Sequence, residues 1–190
     1  MAVLAMGSAP VAMAAGGGAA LSAAGAPPSG GAGITLATPL STPTHPMVAG
    51  AVAKIIHGVA YAPSLAPRAV QQAIWAGNKI RTKPYIYGGG HGTFLDAGYD
   101  CSGTVSFLLH AGGLLGVTMD SSEFMVWGDH GHGHWISVYS NPGHAFVQIA
   151  GIRMDTSAEG DPNYTGGSGP RWRPLLEDTS GFTVTHPHGY

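Results

Sequence analysis

The sequence predicts an α+β domain in which helices come first along the chain and antiparallel strands follow. Two helical patterns end before residue 114, and four short strand patterns lie between residues 135 and 186. Helices followed by a strand meander are typical of the α+β class, in which the N-terminal helices pack on an antiparallel sheet. The chain has 190 residues, which is enough for one such domain and a terminal segment.

The N-terminal third of the chain differs in composition from the rest. No charged residue occurs before Lys54, and Ala, Gly, Ser, Pro and Thr dominate. Residues 1–24 are similar to the apolar part of a secretory signal, although they lack its basic start, and residues 26–46 have the composition of a linker. We therefore expect residues 1–64 to be a low-complexity export segment, a linker or both, and residues 65–190 to form the folded domain. A secreted or cell-wall-associated protein is expected, with no membrane span, since no apolar run approaches the roughly 20 residues required.

Two helices are predicted from apolar residues that recur every three or four positions. The first opens at Pro67, where proline is tolerated, and Lys83-Pro84 ends it. The second begins at Cys101 and stops at Gly112-Gly113. The residues expected to face the core are Val70, Ala73, Ile74, Gly77 and Ile80 in the first helix, and Val105, Leu108, Leu109 and Gly112 in the second.

The strand patterns also predict how two of the strands pair. The four predicted strands cover residues 135–140, 144–149, 152–157 and 182–186. With Ala150-Gly151 as a two-residue turn, Ile149 pairs with Ile152 and Val147 pairs with Met154. This register places His144, Asp155 and Ser157 on the opposite face of the same strand pair.

Cys101 is the only cysteine and the first candidate for a catalytic group. A single thiol cannot form an intramolecular disulfide, and a cysteine followed downstream by a histidine is a candidate nucleophile. The helix N-terminus favours the thiolate through free backbone N–H groups and the positive end of the helix dipole. His91, in the glycine-rich loop before Cys101, is left open as a residue that borders the site.

His144 is the candidate general base. Of the ten histidines, only His144 opens an apolar strand directly after a turn. A third group that hydrogen-bonds the imidazole would set its tautomer and orientation. Asp155 is the first choice for this group and Ser157 the second, because the predicted register puts both within reach of the ring.

Three motifs around these residues resemble those of the NlpC/P60 cysteine peptidases. The motifs are Tyr85-Ile86-Tyr87-Gly88-Gly89, Tyr99-Asp100-Cys101-Ser102-Gly103 and Gly143-His144-Ala145-Phe146. The resemblance covers roughly residues 66–157. It implies a compact papain-like α+β fold and hydrolysis of cell-wall peptides at the bond between the D-glutamate side-chain carboxyl and a diamino acid, without a cofactor.

The resemblance also implies a role for each motif residue. Cys101 would be the nucleophile and His144 the general base, while Asp100 and Ser102 would help to hold the free amine of the stem peptide. Tyr85 would line the site near the thiol. An aspartate such as Asp155 departs from the family, whose third polar residue is typically His, Asn or Gln.

Other function classes are excluded or kept as alternatives. Only 8 Lys and Arg residues and a net charge of -2 exclude a basic nucleic-acid-binding face. His130, His132 and His134 alternate along a glycine-rich loop, and imidazole suits zinc, copper or nickel, but a solvated turn is favoured there. The alternatives are a non-catalytic cell-wall or metal-binding module on the same fold and a Cys-His amidase or acyltransferase. The oligomeric state is not predicted.

Overall fold

A computed structural model describes residues 45–190 of the protein. Within that range the helices are α1 (Arg68–Ile80), α2 (Cys101–Ala111) and α3 (Ser121–Phe124). The strands are β1 (Met47–Val48), β2 (Lys54–Ile56), β3 (Val59–Pro63), β4 (Asp129–His130), β5 (Ile136–Asn141), β6 (His144–Ile149), β7 (Ile152–Asp155), β8 (Arg171–Arg173) and β9 (Thr183–His186). None of these three helices is long and apolar enough to cross a membrane.

The main sheet is antiparallel and has the strand order β4-β9-β5-β6-β7-β8. The predicted pairing of β6 with β7 is confirmed: Val147 lies opposite Met154, and Ile149 lies opposite Ile152. Few helices and a mostly antiparallel strand pairing make the structure compatible with the predicted α+β class. Strand β7 ends at Asp155, two residues earlier than predicted.

A second sheet precedes the first helix and was not predicted. Strand β3 pairs with β1 and β2, and its residues Ala60 and Ala62 are fully buried. The side chain of Asn78 in α1 bonds both the N–H and the C=O of Ala60, at 2.9 and 2.8 Å. The folded part of the chain therefore includes residues before the predicted boundary at residue 64. Strand β3 belongs to it because its small alanines allow the strand to be buried against α1. The predicted signal at residues 1–24 and most of the predicted linker lie outside the described residues.

The core lies between the helices and the inner face of the main sheet. Every residue that was predicted to face the core from α1 is buried, and Val105, Leu108 and Leu109 of α2 are buried as well. Ala145, Val147 and Ile149 of β6 belong to the same cluster. The alternation of side chains along β6 then turns His144, Phe146 and Gln148 to the other face.

That other face carries buried charged groups, which the segment between β7 and β8 contacts. Arg153, Asp155 and Arg173 are each at most 2% exposed. The Glu159 carbonyl accepts a hydrogen bond from Arg153, and the Asp161 carboxylate pairs with Arg173. Because each of these charges has a partner of opposite charge, the face can be buried from solvent without an isolated ion. The Pro- and Gly-rich stretch near residues 160–174 thus has a structural role.

Candidate active site

Asp100 caps helix α2 and places Cys101 at the first helical residue. One carboxylate oxygen of Asp100, Oδ1, accepts a hydrogen bond from the N–H of Gly103 at 2.8 Å. The other, Oδ2, accepts from the N–H of Gly88 at 3.0 Å, which joins the glycine-rich loop to the helix. Such a cap holds the first turn with its backbone N–H groups around the thiol, where they favour negative charge.

Gly103 lets the glycine-rich loop pack directly against the first turn of α2. A Cβ atom on Gly103 would lie closer than 3.0 Å to the carbonyl oxygen of Gly89. That oxygen also accepts a hydrogen bond from the N–H of Asp100 at 3.1 Å, so it cannot withdraw freely. Gly89 and Gly103, one from each motif, therefore set the distance between the loop and the helix turn that carries Cys101.

Replacing Gly103 with Ala is expected to destabilise the fold by roughly 1–3 kcal/mol, the range typical of overpacking. At a helical position with space for a Cβ atom, the same substitution would stabilise the fold, because Ala is favoured over Gly in helices by up to about 1 kcal/mol. Urea unfolding measures the change, and Gly92→Ala is the control, since a Cβ there has nothing within 4 Å. A Gly103→Ala variant as stable as the native protein would show that the loop does not press on the helix.

His144 is placed by the turn before β6 and held by Asp155 on β7. The side-chain oxygen of Asn141 accepts hydrogen bonds from the N–H groups of Gly143 and His144, both at 2.9 Å. The Nε2 atom of His144 lies 2.9 Å from Oδ1 of Asp155. This is the contact expected from the strand register, and it leaves Nδ1 as the ring nitrogen available to the thiol.

Ser157, the second choice for the third group, supports Asp155 instead. Its backbone N–H donates to Oδ1 of Asp155 at 2.8 Å, while its hydroxyl accepts from the N–H of Glu159 at 3.2 Å. Asp155 is therefore the side chain that orients the imidazole. Strand β7 ends at Asp155, so Ser157 lies beyond the strand on which the register would have placed it opposite His144.

Arg153 supplies the positive charge that the buried Asp155 carboxylate requires. Its Nη1 atom lies 3.2 Å from Oδ2 of Asp155, outside hydrogen-bond geometry, so the attraction is mainly coulombic. The Arg153 side chain is 0% exposed. No motif in the sequence singles out Arg153, although its position two residues before Asp155 puts it on the same face of β7.

The electrostatics of Cys101 and His144 favour a thiolate beside an imidazolium. Burial raises the pKa of the Cys101 thiol, but hydrogen bonds from the His144 side chain and the Ala145 N–H bring that pKa below its ordinary value. Burial lowers the pKa of His144, but the hydrogen bond to Asp155 and the contact with Cys101 raise it to about 9. A pKa of about 9 keeps His144 protonated near neutral pH, and the lowered pKa of the thiol favours the thiolate beside it.

The raised pKa of His144 also links the stability of the fold to pH. The folded protein binds this proton more tightly than the unfolded chain does. The resulting stabilisation is complete below the ordinary histidine pKa of 6.5 and is lost as the pH rises through about 9.

The remaining predicted site residues lie around the thiol. Tyr85 is half-exposed, and burial, followed by the charges of Cys101 and Asp100, raises the pKa of its phenol. Ser102 is buried, and its hydroxyl lies 3.4 Å from Oδ1 of Asp100. His91, which the sequence left open, lies against both Asp100 and Ser102. The fold thus brings together every site residue predicted from the motifs.

The structure does not gather the alternating histidines into a ligand set. The ring of His132 lies 3.2 Å from the hydroxyl of Tyr139, and the ring of His134 packs edge-on against Trp135. His130 lies on the exposed strand β4. Over residues 45–190, no group of three or more His, Cys, Asp or Glu side chains is arranged to hold a metal ion.

Comparisons with known proteins assign no family to the chain: no family model matches it, and no curated protein matches it either. The chemistry of the site therefore follows from its own geometry. At the N-terminus of α2, the Cys101 thiol has a lowered pKa and contacts the His144 imidazole, which the buried Asp155 carboxylate orients. Such a group can attack a carbonyl carbon and then protonate the leaving group.

Proposed function

We propose that the protein is a cysteine peptidase that hydrolyses the stem peptides of peptidoglycan. The observation that carries the proposal is the connected series Cys101, His144 and Asp155, in which the pKa of the thiol is lowered and that of the imidazole is raised to about 9. Cys101 and His144 were selected from motifs that resemble those of the NlpC/P60 peptidases, whereas Asp155 was selected from the strand register. A helix that carries the cysteine and an antiparallel strand that carries the histidine suit a papain-like arrangement of this type.

The proposed reaction proceeds through a thioester. The Cys101 thiolate attacks the amide carbonyl carbon, and His144 gives its proton to the departing amine as the C–N bond breaks. His144, now neutral, takes a proton from water, and the hydroxide releases the acyl group and regenerates the thiolate. The N–H of Cys101 has no partner within the helix, so it is available to the oxyanion of each tetrahedral intermediate.

The substrate class rests on the motif resemblance. It points to the amide between the side-chain carboxyl of D-glutamate and the amino group of a diamino acid. Peptidoglycan lies outside the cytoplasmic membrane, so the proposal also requires a secreted or wall-associated protein, in keeping with the composition of residues 1–24.

Digestion of purified peptidoglycan and of a synthetic L-Ala-γ-D-Glu-diamino acid peptide by the full chain tests the proposal. The expected products are a dipeptide that ends in D-glutamate and a new free amine on the diamino acid, identified by mass spectrometry. Release of intact stem peptide from the sugar would indicate an amidase, and acyl transfer to an added amine would indicate an acyltransferase. Binding to peptidoglycan without any product would support the non-catalytic module and contradict the proposal.

A further inference from the structure

An acidic group lies next to the nucleophile and is almost closed from solvent. Asp100 is 7% exposed, and its negative charge opposes formation of the thiolate at Cys101. Both of its carboxylate oxygens accept backbone hydrogen bonds, from Gly88 and Gly103. A carboxylate in this position, with the Ser102 hydroxyl beside it, has the chemistry to receive an ammonium group of a bound peptide.

His91 already occupies that position. Its Nε2 atom lies 3.0 Å from Oδ1 of Asp100 and 3.2 Å from Oγ of Ser102. Because an ionised carboxylate only accepts hydrogen bonds, the imidazole is the donor to Asp100. The His91 side chain is 27% exposed and that of Asp100 is 10% exposed, so the ring is the more solvent-exposed member of the pair.

The backbone of His91 is held on both sides, so the loop does not carry the ring away easily. The hydroxyl of Thr118 donates to the carbonyl of His91 at 2.9 Å. The N–H of the preceding residue, Gly90, donates to Asp96 at 2.9 Å. A ligand that needs Asp100 must therefore rotate the His91 side chain and replace its hydrogen bonds.

We propose that His91 determines specificity by filling the ammonium position at Asp100 and Ser102. The protein then favours stem peptides whose N-terminal nitrogen is part of an amide, as in a peptide still attached to the glycan, over the same peptides with a free amine. A free ammonium group would have to displace His91 from Asp100, or lose its water while no free carboxylate is available to pair with it. An uncharged amide needs neither. This inference rests on the proposed function, and it differs from the free-amine role that the motif resemblance implies for Asp100 and Ser102.

The peptide test compares L-Ala-γ-D-Glu-diamino acid with its N-acetylated form. The native protein is expected to have the higher kcat/KM on the acetylated peptide. In the His91→Ala variant the ratio of free-amine to acetylated kcat/KM should rise by at least about tenfold, since a charged hydrogen-bond partner becomes available. His130→Ala is the matched control, because His130 is exposed on β4, which β9 and β5 separate from β6.

A second measurement does not depend on peptide hydrolysis. Cys101, the only thiol, is treated with a methanethiosulfonate that carries an ammonium group and with a neutral one of similar size. In each case the thiolate forms a mixed disulfide and methanesulfinate leaves. His91→Ala should raise the ratio of cationic to neutral rates by at least about tenfold, while His130→Ala should leave it unchanged.

The outcomes separate the two proposals. An unchanged reagent ratio in His91→Ala overturns the role of His91. A native preference for the free-amine peptide over the acetylated one overturns it as well. If the native protein hydrolyses neither peptide but the reagent ratio rises, the peptidase proposal fails while His91 still closes an ammonium position beside the thiol.

Discussion

Replacement of Cys101 with Ala is expected to abolish hydrolysis of peptidoglycan peptides, with a loss of at least roughly 10⁴-fold in kcat. The substitution removes the atom that forms the thioester, and no second thiol is present in the chain to replace it. The fold should remain, because Ala is smaller than Cys and the Asp100 cap of α2 is untouched. Amine release measures the activity, and circular dichroism with thermal unfolding measures the fold.

Cys101→Ser is the companion variant for this test. It keeps the size and the position of the nucleophile but replaces a thiol with a hydroxyl that stays protonated near neutral pH. We expect a loss close to that of Cys101→Ala. Hydrolysis by folded Cys101→Ala at the native rate would contradict the thioester mechanism directly.

Asp155→Asn is expected to lower the pKa of His144 from about 9 towards its ordinary value of 6.5. Asn carries no charge to stabilise the imidazolium, and its amide can donate to Nε2 and so select the wrong tautomer. We expect kcat to fall by roughly 10²–10⁴-fold, the loss typical of removing the orienting carboxylate from a triad. Alkylation of Cys101 by iodoacetamide near neutral pH should slow as well, because a neutral His144 stabilises the thiolate less.

The same substitution also leaves Arg153 without its counterion, so stability must be separated from catalysis. Breaking a buried ion pair costs about 3–5 kcal/mol. Asp161→Asn is the matched control, since it removes the partner of buried Arg173 in the same layer without touching His144. We expect both variants to lose stability in urea, whereas only Asp155→Asn changes the pH profile of alkylation. Equal pH profiles of alkylation in the two variants would rule out Asp155 as the group that raises the pKa of His144.

The local patterns of the sequence were sufficient for the elements that carry Cys101 and His144. The spacing of apolar residues predicted α1 and α2, although α2 is buried on all sides from Ser102 to Leu109 rather than on one face. The alternation along β6 and β7, with a two-residue turn between them, predicted that Asp155 would face His144. Such periodicities are properties of adjacent residues, so they can be read without the rest of the fold.

Contacts between distant segments could not be predicted in the same way. Residues 45–63 look like a linker because their alanines give no strong strand signal, yet Ala60 and Ala62 are buried against α1. The small strands β1, β2 and β8 are two or three residues long, and each is held by pairing with a neighbouring strand. Their existence depends on packing rather than on intrinsic propensity.

The sequence by itself was enough to select Cys101 as the candidate nucleophile, His144 as the candidate base, and the face on which Asp155 lies. The start of a helix, a turn and the register of two consecutive strands each depend on residues that are close together in the sequence. Only the tertiary structure decided that Arg153 balances Asp155, that Ser157 supports it through the backbone, and that His91 fills the space beside Asp100. These contacts depend on which polar and charged groups are buried next to one another. Folding brings such groups together whatever their separation along the chain.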